Sequence, residues 1–396
     1  RALTVRDTAS VAALAAQLAD ARRVLVVGNG GIALELVGAL VGMDVVWAVR
    51  HVGIGDAFFD RDAAAFLAEE AQRTRTSSGA QASTSDAEMT DALPAKRARL
   101  DDSTGRESDQ VSADGASAGA AGPHWTKLLS ARVASASEGV VSAGLRLETQ
   151  CELAGIAEAP PADAAPGERD WPVYARLTNG VVVGCDVIVT AAGVEPNTSW
   201  LSSAQGFTHA ADGGLCVDRT MWTGVPGVFA AGDACTCLWG EDVRDSPHWY
   251  QMRLWGQARM MGAFVGNVIA GHSDELALGF NFDLFAHSTK FFGLKVVLLG
   301  RYNAQGLEGE PESDIVSYSR VEDGGGGRKV SCGCCGGGGT RGVFQCERQP
   351  RGPFALPGQE PPAVVPVMTP AGIQDAGEEG RTFVRITLLR GRMVGA

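Results

Sequence analysis

The amino-acid sequence predicts an α/β protein. Residues 24–27 form a continuous apolar run, which is the pattern of a strand buried in a parallel sheet. Residues 32–41 follow with apolar positions at helical spacing, and residues 45–49 form a second buried run. The three segments together predict a βαβ unit. A chain of 396 residues, 45% of them apolar, is long enough for two or more domains around such a unit.

The composition argues against several classes of function. A formal net charge of −12 is unfavourable for broad nucleic-acid binding by phosphate neutralisation, so we expect no direct nucleic-acid binding. No apolar run reaches the roughly 18–20 residues that a membrane-spanning helix requires. The nine cysteines are an odd number scattered along the chain, which is typical of reduced thiols. These features favour a protein of the cytoplasm or the nucleus.

The rest of the chain predicts a hairpin, further strands and a long helix. Asn179-Gly180 is a favoured two-residue hairpin turn, and it lies between apolar residues 174–177 and 181–183. A helical pattern also begins close to Arg1, so we expect the chain to be a fragment of a longer protein. The other predicted elements are a helix over 11–18, strands over 186–193, 228–233, 295–299 and 383–389, and a helix over 249–270.

The stretch VGNGGIALE, residues 27–35, has the composition of a nucleotide-binding turn between the first strand and its helix. Gly28 allows a sharp turn, Gly30 allows a pyrophosphate to approach the backbone, and Ala33 permits close packing of helix on strand. The amides expected to face the phosphates are those of Gly28, Asn29, Gly30, Gly31 and Ile32. The stretch therefore predicts a Rossmann-like dinucleotide site, although a tight turn that holds no ligand is the alternative.

The end of the second strand bears on the choice between NADH and NADPH. An NAD-selective site usually places Asp or Glu there to bind the ribose 2'-hydroxyl. This strand ends in VVWAVRH, in which Arg50 and His51 would face a 2'-phosphate. Since a solvated basic strand end explains the same residues, the predicted nucleotide is written NAD(P)H.

A second motif, GVFAAGDA at residues 227–234, places Gly232 and Asp233 shortly before the long helix. It resembles the carboxyl-terminal flavin motif of the flavoproteins with two dinucleotide domains. TAAGVEPN at residues 190–197, which contains Gly193, resembles the strand end before the domain crossover in the same group. The resemblance implies that Asp233 accepts hydrogen bonds from the ribityl chain of FAD, and that the following helix directs its positive end at the flavin.

Two longer stretches narrow the resemblance. They are WYQMRLWGQARMMG, residues 249–262, and FDLFAHSTKFFGLKVVLLGRYNAQGL, residues 282–307. Together with the motifs above, they make the chain similar to the eukaryotic branch of the pyridine nucleotide-disulphide oxidoreductase family, a group of class-I-like flavoproteins. The resemblance implies a protein that binds FAD, oxidises NAD(P)H and occurs in nucleus and cytoplasm. It also implies a partner, the tRNA ligase complex, which the protein protects from oxidative inactivation.

The chain departs from the pattern of that family at its beginning. Members start with a glycine fingerprint for the ADP part of FAD, and no such motif precedes Val24. We therefore expect the flavin fingerprint to lie upstream of Arg1, and we expect this fragment alone to hold FAD weakly or not at all and to lack activity. Related reductases also carry a redox Cys pair in that first domain. Cys235 and Cys237 lack the Cys-x-x-Cys spacing and are predicted to be buried thiols.

The predicted domain organisation follows from these motifs. Residues 74–122 and 322–380 are predicted to be disordered insertions, because they are poor in large apolar residues or rich in Gly and Pro. The predicted segments are a linker helix at 1–21, an NAD(P)H-binding domain at 22–194, the C-terminal part of an FAD-binding domain at 195–272, and a small α+β C-terminal domain at 273–321 and 381–396.

The predicted chemistry belongs to the cofactors, with hydride passing from nicotinamide C4 to flavin N5, and no residue is assigned as a catalytic acid or base. Glu35 lies one turn into the fingerprint helix, where the resemblance implies support near the nicotinamide. The alternative for Glu35 is an acid stabilised by the helix dipole. Met252, Trp255 and Arg259 recur at helical spacing, a stripe that is more typical of a core than of a cofactor contact.

Three other interpretations stay open. A non-catalytic module could use this fold to dock on a partner protein, with a structural cofactor. The cysteines at 332, 334, 335 and 346 could bind zinc, but no surrounding pattern fixes four ligands, so no metal is predicted. Basic residues 96–99 have the composition of a nuclear localisation signal, and a chance solvated cluster is the alternative.

Overall fold

A computed structural model describes most of the chain. The described residues are 2–40, 42–82, 119–120, 122, 125–127, 129, 144–162, 170–240, 246–272, 282–322, 328–332 and 382–396. They belong to two compact units. The first unit comprises the residues up to Thr236 together with Met252–Ile269 and His287–Val297. The second unit comprises Cys237–Gln251, Ala270–Ala286 and Leu298–Ala396.

A five-stranded parallel sheet is the centre of the first unit. Its strands are β1 (Ala2–Thr4), β2 (Arg23–Val27), β3 (Asp44–Ala48), β4 (Leu145–Glu148) and β8 (Val187–Thr190). They pair in the order β1-β8-β2-β3-β4. The helices of this part are α1 (Thr8–Leu18), α2 (Gly31–Ala39) and α3 (Arg61–Ala82). The predicted βαβ unit is therefore confirmed as β2-α2-β3, and the α/β fold with it.

The predicted linker helix at 1–21 differs from the structure in its first residues. Only α1 is helical, while β1 pairs with β8 and forms the edge of the sheet. A strand of three residues has no periodicity for a pattern search to detect, so the sequence did not predict it.

Burial explains the apolar runs of the central strands. Val24, Leu25 and Val26 have no exposed surface, as a strand covered on both faces requires. Trp47 on β3 is also buried, and its indole N–H donates to the carbonyl oxygen of Gly28 at 2.8 Å. Because a buried indole N–H needs an acceptor, this bond fixes the start of the glycine turn against β3.

A three-stranded antiparallel sheet packs on the parallel one. It consists of β5 (Leu153–Ala157), β6 (Val173–Leu177) and β7 (Val182–Cys185), in the order β5-β6-β7. The predicted hairpin turn is confirmed between β6 and β7, where Gly180 has φ +86°. The two sheets share one apolar core. Its members are Leu25, Val27, Val46, Ala48, Cys151, Val173, Ala175, Leu177, Val183, Cys185 and Ile188.

The region predicted as a strand followed by a long helix folds differently. Residues 228–233 do not form the predicted strand, because Phe229 makes only an isolated bridge to Trp222 and a 3-10 turn follows at Gly232–Ala234. The helix α4 begins at Trp255 and ends at Ile269 rather than covering 249–270. Short strands β9 (Leu215–Val217) and β10 (Cys235–Cys237) lie before it in the chain.

The late start of α4 has a local cause. The amide N–H of Met252 donates to the side-chain oxygen of Gln257 at 2.6 Å, which satisfies it without a helical carbonyl. Met252 therefore precedes the helix, and the predicted stripe of Met252, Trp255 and Arg259 on one helix is wrong. Arg259 is exposed, with its guanidinium over the Trp255 ring at 5.8 Å.

Strands β11 (Ala286–Phe291) and β12 (Leu294–Leu299) form a hairpin. The second unit contains a four-stranded antiparallel sheet. Its strands are β13 (Ile315–Glu322), β14 (Arg328–Cys332), β15 (Thr382–Leu389) and β16 (Arg392–Gly395), paired in the order β14-β13-β15-β16. The predicted strands near 295–299 and 383–389 are thus confirmed as β12 and β15.

Both predicted insertions include residues that form regular elements in the structure. Helix α3 continues through residues 74–82, and residues 328–332 form β14. The helix begins in residues 61–73, which are rich in the good helix formers Ala, Glu, Gln and Arg. The other predicted domain boundaries stay predictions. Basic residues 96–99 and the cysteines at 334, 335 and 346 lie outside the described residues.

Among the described residues, no helix combines the length and the hydropathy needed to span a membrane.

Candidate functional site

The candidate site is built on the glycine turn at the carboxyl edge of the parallel sheet. Gly28 follows β2 with φ +138°, a conformation that L-residues with side chains avoid. Its N–H donates to the carbonyl oxygen of Ala48 at 3.0 Å. A Cβ at Gly28 would collide with the backbone carbonyl of Ala191, just after β8. Three strand ends therefore meet at this turn, and only glycine fits there.

Gly30, by contrast, has open space around its Cα. It is the N-cap of α2, its φ of −90° suits any residue, and no atom lies within 4 Å of the position a Cβ would take. The first hydrogen bond of α2 runs from the N–H of Leu34 to the carbonyl of Gly30. The N–H groups before Leu34 have no helical acceptor, so they and the helix dipole can hold a pyrophosphate. This arrangement fits the predicted roles of Gly30, Gly31 and Ile32.

The side chain of Asn29 forms hydrogen bonds within the protein. Its Nδ2 donates to the carbonyl oxygen of Gly53 at 2.9 Å and to Oδ1 of Asp56 at 2.5 Å, while its Oδ1 accepts the N–H of Gly55 at 2.6 Å. These three bonds fasten residues 53–56 to the glycine turn. Of Asn29, only the backbone amide then remains for the predicted nucleotide contact.

The basic side chains at the end of β3 already face carboxylates. Arg50 forms an ion pair with Glu152, and His51 Nδ1 lies 2.9 Å from Oδ2 of Asp56. All four side chains are partly exposed, so the pairs are weak. A 2'-phosphate would gain from Arg50 and lose from Glu152. The structure therefore gives this strand end no strong preference for NADPH.

The predicted flavin motif packs against the first two turns of α4. Gly232 is buried with φ +69°, a Cβ there would come within 3.0 Å of Ala258, and its N–H donates to Sδ of Met261 at 3.3 Å. The side chain of Asp233 is exposed. Partial desolvation raises the pKa of its carboxyl, and the positive charge of Arg253 offsets part of this rise. An accessible carboxylate beside a helix start suits the predicted hydrogen bond to a ribityl hydroxyl.

Arg253 organises the same region, a role that sequence reasoning missed. Its guanidinium donates to Oδ2 of Asp212 at 2.8 Å and to the carbonyl oxygen of Asp233 at 3.1 Å. Burial alone would raise the pKa of Asp212, but bonds from the Gly214 N–H, Arg253 and Thr236 lower it. No local pattern reveals this network, because its members are separated by up to 41 residues in the chain.

Gly193 lies beyond the end of β8. It has φ +118°, and no atom lies within 4 Å of the position of a Cβ. Two residues earlier, the N–H of Ala191 donates to the carbonyl oxygen of Val27 at 2.7 Å. Gly193 is exposed, so its backbone is accessible to a ligand.

Glu35 is buried one turn into α2, with 6% of its surface exposed. Its carboxylate accepts hydrogen bonds from Nε1 of Trp125 at 2.5 Å, Oγ1 of Thr289 at 2.8 Å and the N–H of Ala120 at 3.0 Å. Desolvation raises the pKa of this carboxyl, and the three donors oppose the rise. The predicted support of a nicotinamide by Glu35 stays a prediction, since the side chain is occupied by the protein.

Comparison with known proteins shows which proteins the chain resembles. Residues 134–262 match the family model described as pyridine nucleotide-disulphide oxidoreductase. The chain is 38% identical to a Mus musculus protein named pyridine nucleotide-disulfide oxidoreductase domain-containing protein 1, over 79% of this chain and 62% of that protein. The chain carries a pyridine nucleotide-disulphide oxidoreductase domain. The family resemblance read from the sequence is thus confirmed.

Further relatives agree with this assignment. A Danio rerio protein of the same name is 41% identical over 77% of this chain and 59% of its own length, and a Dictyostelium discoideum one is 31% identical over 76% and 63%. The chain spans about three fifths of the length of these curated relatives. A solved structure of an NAD-dependent persulfide reductase from A. fulgidus has the same fold, with a TM-score of 0.51 and 18% identity over 81% of this chain and 43% of that one.

The cysteines near the predicted flavin motif are buried. Cys235 and Cys237 are both free and buried, as predicted, and the Cys235 thiol donates to the carbonyl oxygen of Gly232 at 3.4 Å. Buried thiols beside backbone carbonyls are poor redox partners, because the thiolate is not stabilised there. Within the described ranges, no group of three or more His, Cys, Asp or Glu residues is placed to hold a metal ion.

His287 lies on β11, two residues before Thr289, and is buried with its Nε2 atom unpartnered. Its ring is 6.1 Å from that of Phe58. Desolvation lowers the pKa of His287 to about 4, from an ordinary value of 6.5. The imidazole is therefore neutral in the folded protein at pH values where an unfolded chain would bind a proton.

We expect His287→Phe to remove part of the pH dependence of folding. Between pH 6.5 and 4 the unfolded state binds the proton and the folded state does not, so the contribution of His287 to stability is lost as pH falls. The wild-type free energy of unfolding should fall relative to that of the variant by about 3 kcal/mol over this range. Urea unfolding at stepped pH measures the difference. The exposed His209→Gln serves as control, and parallel pH profiles for wild type and H287F would contradict the expectation.

Proposed function

We propose that the chain is the larger part of an FAD-dependent NAD(P)H oxidoreductase. The observation that carries the proposal is the turn at Gly28 and Gly30, which packs three strand ends tightly and leaves the amides of the α2 N-terminus free. Such a turn is the pyrophosphate site of dinucleotide-binding domains. The family match and the relatives support the same class of reaction.

The proposed division of labour follows from the described residues. When bound, the nicotinamide and the flavin supply the hydride transfer, from C4 to N5. The amides of residues 30–32 would hold the pyrophosphate, and the Asp233 carboxylate would accept a hydrogen bond from the ribityl chain. Arg253 would keep Asp233 in place through the carbonyl bond described above. No side chain is needed as an acid or a base.

We also propose a biological role, which rests on the family resemblance. The protein would act in nucleus and cytoplasm and protect a tRNA ligase complex from oxidation. Electrons from NAD(P)H would reach an acceptor through the reduced flavin. Loss of ligase activity after peroxide treatment, prevented by adding the oxidoreductase and NADH, would support this role. Protection that does not require NADH would point to a non-catalytic binding module.

Spectroscopy tests the oxidoreductase proposal. We expect a version of the chain extended upstream to copurify with FAD and to show a visible flavin band that NADH bleaches without oxygen, whereas this chain alone should retain little FAD after gel filtration. A bound flavin band in the extended protein that NADH leaves unchanged would overturn the proposal. Titration with ADP-ribose, which has the pyrophosphate but no nicotinamide, tests the glycine turn separately and should show binding by this chain.

A further inference from the structure

The described residues Gly119, Ala120, Gly122 and Trp125 of the first unit form a short stretch that contacts helix α2. Glu35 binds the backbone of Ala120 and the indole of Trp125, and it also binds Thr289 on β11. One buried carboxylate thus joins three parts of the chain that are up to 254 residues apart.

The same stretch contacts the first residues of two helices. A Cβ built on Gly31, the first residue of α2, would come within 2.8 Å of the Ala120 Cβ. A Cβ built on Gly122 would lie 3.5 Å from the ring of Trp255, the first residue of α4. Helix α2 follows the dinucleotide turn and α4 follows the predicted flavin motif. The stretch therefore bridges the two helix starts that would flank the reacting rings.

One half of the proposed dinucleotide site is open, and packed side chains cover the other half. At Gly30, where the pyrophosphate would approach, nothing lies within 4 Å of a built Cβ. At Gly31, one residue further, Ala120 and Phe58 fill the space. In dinucleotide-binding domains the adenosine ribose lies at the end of the second strand, here β3, so a bound nicotinamide would lie on the other side of the pyrophosphate, towards the flavin. Gly122 contacts Trp255 of α4, the helix that packs on Gly232 of the predicted flavin motif.

The chemistry of the contact requires these residue types. A carboxylate that is 94% buried needs several donors, since an unpaired buried charge is costly. Tryptophan offers one N–H donor and no acceptor, and its indole brings a large apolar ring, 7% exposed here. Phenylalanine would keep the ring contacts and remove the donor. The indole N–H is thus the feature that links Trp125 to α2.

We propose that Ala120 and Trp125 form the wall of the nicotinamide end of the dinucleotide site, and that Glu35 is the positioning residue that holds this wall. The inference rests on the proposed function, because it assigns the wall to the site of that reaction. It gives Glu35 a role in binding NADH that is exerted through Trp125 and Ala120 rather than by direct contact with the nucleotide.

The test compares NADH with ADP-ribose on the full chain. Trp125→Phe should weaken NADH binding about tenfold, the size expected for loss of a hydrogen bond to a buried carboxylate, and leave ADP-ribose binding unchanged. Hydrogen exchange of a peptide covering residues 119–127 should become faster in the same variant. Trp200→Phe, which alters an exposed tryptophan of the first unit, is the matched control and should change none of these values.

A second variant guards against a folding artefact. Glu35→Gln keeps the size of the side chain, but one amide oxygen cannot accept all three hydrogen bonds, so the same selective loss is expected. Unchanged NADH binding and exchange in both variants would overturn the proposal, and so would equal losses for NADH and ADP-ribose. If the wild type binds neither compound, the proposed function fails and the assignment of the wall to a nucleotide site fails with it. The exchange result then still decides whether Glu35 fastens the stretch.

Discussion

Replacing Gly28 with alanine is expected to lower the free energy of unfolding of the first unit by about 3–5 kcal/mol. The φ of +138° is strained for any residue with a Cβ, and the new methyl group would meet the backbone of Ala191. Backbone atoms at the ends of β2 and β8 cannot move aside as a flexible side chain can. Chemical denaturation followed by far-UV circular dichroism measures the loss.

Gly30→Ala separates the folding role of the turn from its binding role. At Gly30 the φ of −90° suits alanine and the surroundings are empty, so stability should change by less than about 1 kcal/mol. Binding of ADP-ribose should nevertheless weaken at least about tenfold, because the methyl group occupies the approach of the pyrophosphate. Equal stability losses in G28A and G30A would contradict this account of the turn.

Replacing Arg301 with methionine is expected to destabilise the second unit by about 3–5 kcal/mol, because several carbonyl acceptors would each lose their donor. Arg301 is 1% exposed, and its guanidinium donates to the carbonyl oxygens of Ser246 and Trp249 at 2.9 Å and of Gln305 at 2.7 Å. Methionine has a similar length but no donor, so these carbonyls would stay buried without a partner. Each unsatisfied group carries its own cost.

Tryptophan fluorescence is the natural measurement for this variant. Trp239 and Trp249 stack in the second unit with ring centroids 5.5 Å apart, and both are buried, so their emission reports its unfolding. Arg392→Met is the matched control, since Arg392 is an exposed arginine of the same unit. It should change stability by less than about 0.5 kcal/mol. An R301M protein as stable as R392M would show that the buried guanidinium is dispensable.

Elements with strong local signals were predictable from the sequence. The run VLVV, the glycine turn and the helix after it determine β2-α2-β3, because each depends on contacts or dihedral angles within a few residues. The Asn179-Gly180 turn fixed the hairpin β6-β7 for the same reason. The resemblance of longer stretches then supplied the family, which the comparisons confirm.

Elements that depend on distant partners were not predictable. Residues 228–233 have the composition of a strand, but a strand exists only where neighbours pair with it, and Phe229 pairs with Trp222 alone among the described residues. The start of α4 was placed too early because apolar spacing continues upstream, whereas the Met252 N–H is satisfied by the Gln257 side chain. Neither partner is visible in a periodicity.

By itself, the sequence determined the α/β class, the glycine turn after β2 and the family resemblance of this protein, since these follow from local dihedral preferences and from motifs that are contiguous in the chain. Only the tertiary structure decided which donors surround Glu35 and which carbonyls surround Arg301. Buried charges must find partners wherever the fold brings them, and Trp125 lies 90 residues from the carboxylate that it binds. Such a pairing is a property of the packed molecule, because no spacing rule connects residues so far apart.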